Sequence, residues 1–141
     1  MVPILSGRLQ TRLMTLGLLG LLWTLAVTPV LAPGGAVGAT YRATLFSWAC
    51  ALVLGLVWWE PVYHGLMQFR WEKDWPTLFL LLESVPEAAL VGLLLRQFGP
   101  PATLGVFLTH FFSTWLVVFL VVVGPLRVPF IRWRFRGGRF G

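Results

Sequence analysis

From Leu13 to Ala32 the chain carries no charged residue, and three further apolar stretches of similar length follow it. A helix that crosses a bilayer needs about 20 such residues, at 1.5 Å of rise each. The second stretch opens near Ala43, stays apolar to Trp59 and continues through Glu60-Pro61-Val62-Tyr63-His64 towards Phe69. The third runs from Pro76 to Leu95, and the fourth from about Thr103 to Val123. Transmembrane strands are about 9–11 residues long and alternate in polarity, which these stretches do not. Backbone groups in lipid must be satisfied within the segment, so the stretches are read as helices.

Composition points the same way. Hydrophobic residues make up 57% of the 141 residues and charged residues 11%, with a mean hydropathy of +0.81. Soluble domains carry roughly 25% charged residues, so this chain has too little charge to cover a water-facing surface. A cleaved secretory leader has an apolar core of about 7–15 residues, and the first run is longer, so it reads as a retained helix. Cys50 is the single cysteine, which excludes an intrachain disulfide and the thiol-exchanging membrane enzymes.

The expected organisation is an all-α membrane protein, a four-helix transmembrane bundle. Residues 1–12 form a cytoplasmic N-terminus. The transmembrane domain is 13–124, with spans at 13–32, 43–66, 76–96 and 103–124, and residues 125–141 form a cytoplasmic tail. Pro29 and Pro33 mark the exit of the first span, Asp74 caps the third, and Gly124-Pro125 stops the fourth.

Orientation follows from Lys and Arg. Arg8, Arg12, Arg70, Lys73, Arg127, Arg132, Arg134, Arg136 and Arg139 fall on one side of a four-span chain, and Arg42 and Arg96 on the other. Nine against two puts both termini in the cytoplasm, in the plasma membrane. Trp58, Trp59, Tyr63, Trp71 and Trp75 then form an interfacial aromatic belt, and Trp115 falls mid-span, outside it.

Small residues suggest where helices meet. Ala43, Ser47, Ala51 and Gly55 recur every four residues, as do Gly20, Thr24 and Thr28, and Gly105, Thr109 and Ser113. Such stripes let backbones approach closely, so these faces are expected inside the bundle.

Ionisable residues within a span are costly and each is a functional hypothesis. Glu60, His64 and Gln68 share one face of the second span, and Glu83 and Glu87 one face of the third. Glu60 and Glu83 fall at a similar depth, and Glu87 close to the midplane. Pro61 and Pro86 lie beside the acids and free carbonyls one turn earlier. Three chemistries suit Glu60, His64, Glu83 and Glu87: relaying protons, holding a cation, or recognising a partner helix that carries a basic residue. Against them stands a structural role, in which Glu60 and His64 lie at the headgroups and Glu83 and Glu87 pair with Arg or Tyr. The two histidines, His64 and His110, differ in depth by roughly 20 Å, too far to share one haem iron. No cofactor, metal site or catalytic set is expected, and the chain reads as no enzyme.

In the tail, Phe130-Ile131-Arg132-Trp133-Arg134-Phe135-Arg136-Gly137-Gly138-Arg139-Phe140 alternates arginine with apolar residues. Such a segment lies along a membrane surface, its guanidinium groups on anionic headgroups. Arg127 joins that set, and nucleic acid is not an expected partner. The middle segment Gln68-Phe69-Arg70-Trp71-Glu72-Lys73-Asp74-Trp75-Pro76, with Pro86-Glu87 and the Arg-Gly-Gly-Arg end, resembles a family of small actinobacterial integral membrane proteins. That resemblance implies a plasma-membrane location and adds no catalytic residue. The functional expectation is a non-enzymatic subunit or scaffold of a membrane assembly, reached through other membrane subunits or self-association. The rival is a small proton- or cation-coupled transporter or channel.

Overall fold

The computed structural model describes residues 5–69 and 75–126. Helix accounts for 89% of it, and among the described residues there is no strand. Among the described residues, three helices are long and apolar enough to cross a bilayer: α1, Leu5–Leu31; α2, Val37–Gln68; and α5, Leu104–Val123. Between α2 and α5 lie two shorter helices, α3 (Trp75–Leu82) and α4 (Ser84–Phe98). The Arg-rich tail with Arg127, Arg132, Arg134, Arg136 and Arg139 lies outside the described residues, as do Arg70, Trp71, Lys73 and Asp74.

Two boundaries depart from the sequence reading. Helix α1 begins at Leu5, not at Leu13, so Arg8 and Arg12 belong to the long helix rather than to a separate N-terminal segment ahead of it. No proline or glycine-rich break separates residues 5–12 from the apolar run, and the helix propagates through both arginines because each finds partners inside the fold. The stretch expected as one span at 76–96 is divided at Glu83 into α3 and α4. Pro86 explains the break: as the third residue of α4 it gives up an N–H that has no partner in a first turn anyway. The Ser84 hydroxyl donates to the Leu81 carbonyl at 2.7 Å, satisfying one end of the interrupted ladder.

Two π-helical stretches set the faces. In α1 the stretch is Leu13–Gly20, and in α2 it is Gly55–Trp59. A π turn contains one residue more than an α turn and so shifts the register of everything beyond it. In α2 the inward series Ala43, Ser47, Ala51, Gly55 resumes at Glu60, five residues on, and continues through Tyr63 and Met67. Strict α geometry would have continued the series at Trp59. In α1 the wider turns keep Arg12, Leu16, Gly20, Thr24 and Thr28 buried at a constant four-residue spacing.

The core joins α1, α2, α4 and α5 through Leu16, Ala43, Ala51, Ala88, Val91, Leu95, Phe107, Phe111 and Trp115. Aromatic rings fill the α5 side, with Phe111 stacked on Trp115 at 6.2 Å between centroids. On α5, His110 and Thr114 face inwards, whereas Gly105 and Thr109, expected inside, are exposed. The reason is phase: four-residue steps on a regular α helix drift round its surface, and the bulky Phe107, Phe111 and Trp115 occupy the inner face. Thr103 caps α5 by accepting from the Val106 N–H at 3.3 Å. The link from α1 to α2 turns through Gly34 and Gly35, whose φ angles of 61° and 78° lie in the left-handed region open to glycine.

A polar seam holds the end of the fold near this link. Thr24 donates to the Gly20 carbonyl at 2.8 Å, and its hydroxyl pairs with His110 Nε2 at 2.9 Å. Thr28 and Thr44 pair across α1 and α2 at 2.8 Å. Since the Thr24 proton is engaged with Gly20, the His110 ring donates from Nε2, which fixes its tautomer. Replacing Thr24 by Val removes that acceptor while keeping the side-chain shape. It should destabilise the protein by about 1–3 kcal/mol, the cost of a stranded buried donor. Thermal unfolding in detergent checks this, with the exposed Leu22→Val as the neutral comparison.

Candidate functional site

The site is built from charge in a place that excludes water. Arg8 and Arg12 are one helical turn apart on α1 and point at the inner faces of α2, α3 and α4. Arg8 Nε donates to Glu60 Oε2 at 2.6 Å, and its Nη2 to Glu83 Oε1 at 3.1 Å. Its Nη1 also contacts Met67 Sδ at 3.2 Å. Arg12 Nη1 donates to Glu60 Oε1 at 3.1 Å and to Glu87 Oε1 at 2.9 Å. Arg12 Nη2 donates to Glu87 Oε2 and to the Ala51 carbonyl. Arg12 thus grips Glu87 with both arms of its fork, the geometry in which guanidinium and carboxylate bind most strongly.

Each partner depends on a local irregularity. Glu60 reaches the interior because the π turn Gly55–Trp59 rotates it inwards, and its N–H bonds the Gly55 carbonyl five residues back. Pro61 follows directly, where the widened turn absorbs its missing N–H. Glu83 occupies the junction of α3 and α4, and its side chain makes no capping bond there, leaving it to Arg8. Gly55 supplies the room: a Cβ at this position would overlap the Arg12 guanidinium outright. Trp115 closes the site from α5, its ring centroid 5.7 Å from Arg12 Cζ, within cation–π range.

The network is almost dry. Glu87 is 0% and Glu83 1% exposed, and Arg12 is 6% exposed. Arg8, Glu60 and Arg12 retain slight contact with the outside, at 10%, 7% and 5% of their side-chain surface. Such ions pair because separation in a low-dielectric interior would cost several kcal/mol each. Buried polar atoms here without a hydrogen-bond partner include Glu83 Oε2, Arg12 Nε, the Tyr63 hydroxyl and Trp115 Nε1. Among the described residues, no group of three or more His, Cys, Asp or Glu side chains is arranged to hold a metal ion.

Sequence reasoning placed Glu60, Glu83 and Glu87 together, and the structure joins these three through two arginines. His64 is half-buried, and no hydrogen bond or ion pair among the described residues ties it to the acids. Gln68 is exposed; Tyr63 and Met67 take the inner face instead. Ala43, Ser47, Ala51 and Gly55 are all buried against neighbouring helices. The residues that sequence reasoning missed are Arg8 and Arg12, counted there only as cytoplasmic charges that set the orientation. Stepping back by fours from Thr28, Thr24 and Gly20 does reach Leu16, Arg12 and Arg8, but the π-helical stretch Leu13–Gly20 is what keeps that series on one face, and the sequence does not announce it.

No protein-family model, curated protein or solved structure matches the chain.

Gly55→Ala places a methyl group where the Arg12 guanidinium lies. The fork is pinned by Glu60, Glu87 and Ala51 and cannot swing aside without losing them. This variant should be destabilised by about 1–3 kcal/mol, the usual cost of overpacking. Gly65→Ala, where nothing lies within 4 Å of the new atom, should be neutral or up to about 1 kcal/mol more stable. Paired melting curves of the two variants distinguish a steric cost at Gly55 from a general glycine effect.

Proposed function

We propose that this chain is a polytopic plasma-membrane protein of four helical passes, acting as a non-enzymatic subunit or scaffold in a membrane assembly. In this reading α3 and α4 together make the third pass, broken at Glu83 within the bundle. Both termini face the cytoplasm. Removing Arg8 and Arg12, which pair with acids inside the fold, from the topology count leaves Arg70, Lys73 and the five tail arginines against Arg42 and Arg96, or seven against two. The bias keeps its direction. The tail arginines rest on anionic headgroups, and the apolar side chains exposed along every helix, such as Leu18, Leu22, Val57, Leu93, Leu116 and Leu120, face lipid or neighbouring subunits.

The observation that carries the scaffold reading is the pairing of every intramembrane acid among the described residues. Glu60, Glu83 and Glu87 each accept from an arginine of α1, so their charge ties helices together. A carboxylate that binds and releases a transported cation needs a route to water and a weak hold on its partners, and Glu87 has neither. One observation favours the rival, a proton- or cation-coupled transporter: Glu83 Oε2 has no partner.

Two measurements separate the readings. Purified from native membranes in mild detergent, the chain should travel with a stoichiometric membrane partner or a second copy of itself. Reconstituted alone into liposomes, it should pass protons and monovalent cations no faster than empty vesicles. A flux abolished by Glu87→Gln in a folded variant would replace the scaffold reading with the transporter.

A further inference from the structure

The ions of the buried network do not balance. Arg8 and Arg12 bring two positive charges, and Glu60, Glu83 and Glu87 bring three negative ones if all are ionised. The sum is one negative charge enclosed beside Trp115 and the Ala51 carbonyl, with no further cation in the network among the described residues. An isolated buried ion is the costliest group a protein interior can hold, and such a group takes up a proton instead.

Geometry identifies where that charge would reside. Both oxygens of Glu87 accept from Arg12. Both oxygens of Glu60 accept as well, Oε1 from Arg12 and Oε2 from Arg8. Glu83 alone accepts on one oxygen, Oε1 from Arg8, while Oε2 is buried and without a partner. Among the described residues, the charged and titratable groups around it are Arg8 and Arg12 from α1, Glu60 and Tyr63 from α2, and Glu87 from α4. The phenol of Tyr63 is also buried and unpaired, and His64 follows it on α2.

We propose that Glu83 is a proton-binding site, with one proton held on Oε2 in the folded protein at neutral pH. The step is a simple uptake: a solvent proton forms an O–H bond at Oε2, the carboxylate becomes a carboxylic acid, and Oε1 keeps the bond from Arg8. The network then carries two positive and two negative charges. An unpaired neutral hydroxyl at Oε2 is also far less costly than an unpaired anionic oxygen. With the Glu83 side chain 1% exposed and Glu87 fully enclosed, the positive charge that completes the site is the smallest available, a proton.

Infrared absorption tests this on the full-length protein at neutral pH, in a maltoside detergent that lacks ester carbonyls. The parent protein should show the carbonyl stretch of a protonated carboxylic acid, and Glu83→Gln should lack it. Gln has the shape of the neutral acid and leaves an oxygen for Arg8, so this variant should also fold and melt close to the parent. Absence of the band in the parent would mean that all three acids are ionised and would overturn the proposal. Persistence of the band in Glu83→Gln would place the proton elsewhere, and failure of that variant to fold would show that Glu83 works as an anion. Either result contradicts the assignment.

Discussion

Two guanidinium groups facing three carboxyl groups in a water-free interior form the constraint on which the rest of this fold depends. None of these groups can be buried alone, because desolvating an ion costs far more than packing returns. Together they form one network across α1, α2 and the α3–α4 junction, closed by Trp115 of α5. The irregular features of the backbone serve it. The π turn in α2 directs Glu60 inwards, the break before Pro86 frees Glu83, and the bare Cα of Gly55 leaves space for the Arg12 fork.

This arrangement explains how an apolar protein can specify one packing. Between helices in lipid the hydrophobic effect offers little preference, since lipid tails are as apolar as leucine. Uniformly oily helices could rotate or slide against each other at small cost. The Arg8 and Arg12 contacts and the Thr24–His110 and Thr28–Thr44 pairs tolerate no such slip. One set lies in the half of α1 near its start, the other in the half near its end, so α1 is fixed in register at both. The apolar side chains left outside this frame are free to meet lipid or another protein, which is the basis of the assembly reading.

The sequence made the helices legible because their signal is additive: each apolar residue in α1, α2 and α5 contributes to the same inference. The three acids were legible as a group because carboxylates in apolar runs are rare and their depths could be compared from helical rise. Arg8 and Arg12 were not, since an arginine near a helix end has the same sequence signature whether it anchors to headgroups or points inwards. Their place depends on where Glu60 and Glu87 come in space, which no local pattern encodes. The π turns escaped notice for a related reason. Leu13–Gly20 and Gly55–Trp59 hold no residue that forbids an ordinary α turn, and tertiary demand for Arg12 and Glu60 selects the wider one. On α5, four-residue spacing alone pointed to Gly105 and Thr109, but ring volume decided for Phe107 and Phe111.

The claim that Arg12 and Glu87 hold each other inside the protein is tested most directly by a double-mutant cycle. Arg12→Gln, Glu87→Gln and the double variant are compared with the parent by reversible unfolding in detergent. The account predicts that each single change costs several kcal/mol and that the double variant recovers much of the loss, with a coupling energy of about 2–3 kcal/mol. Additive losses with no coupling would mean that the two side chains do not meet, and the network proposed to organise the fold would be wrong.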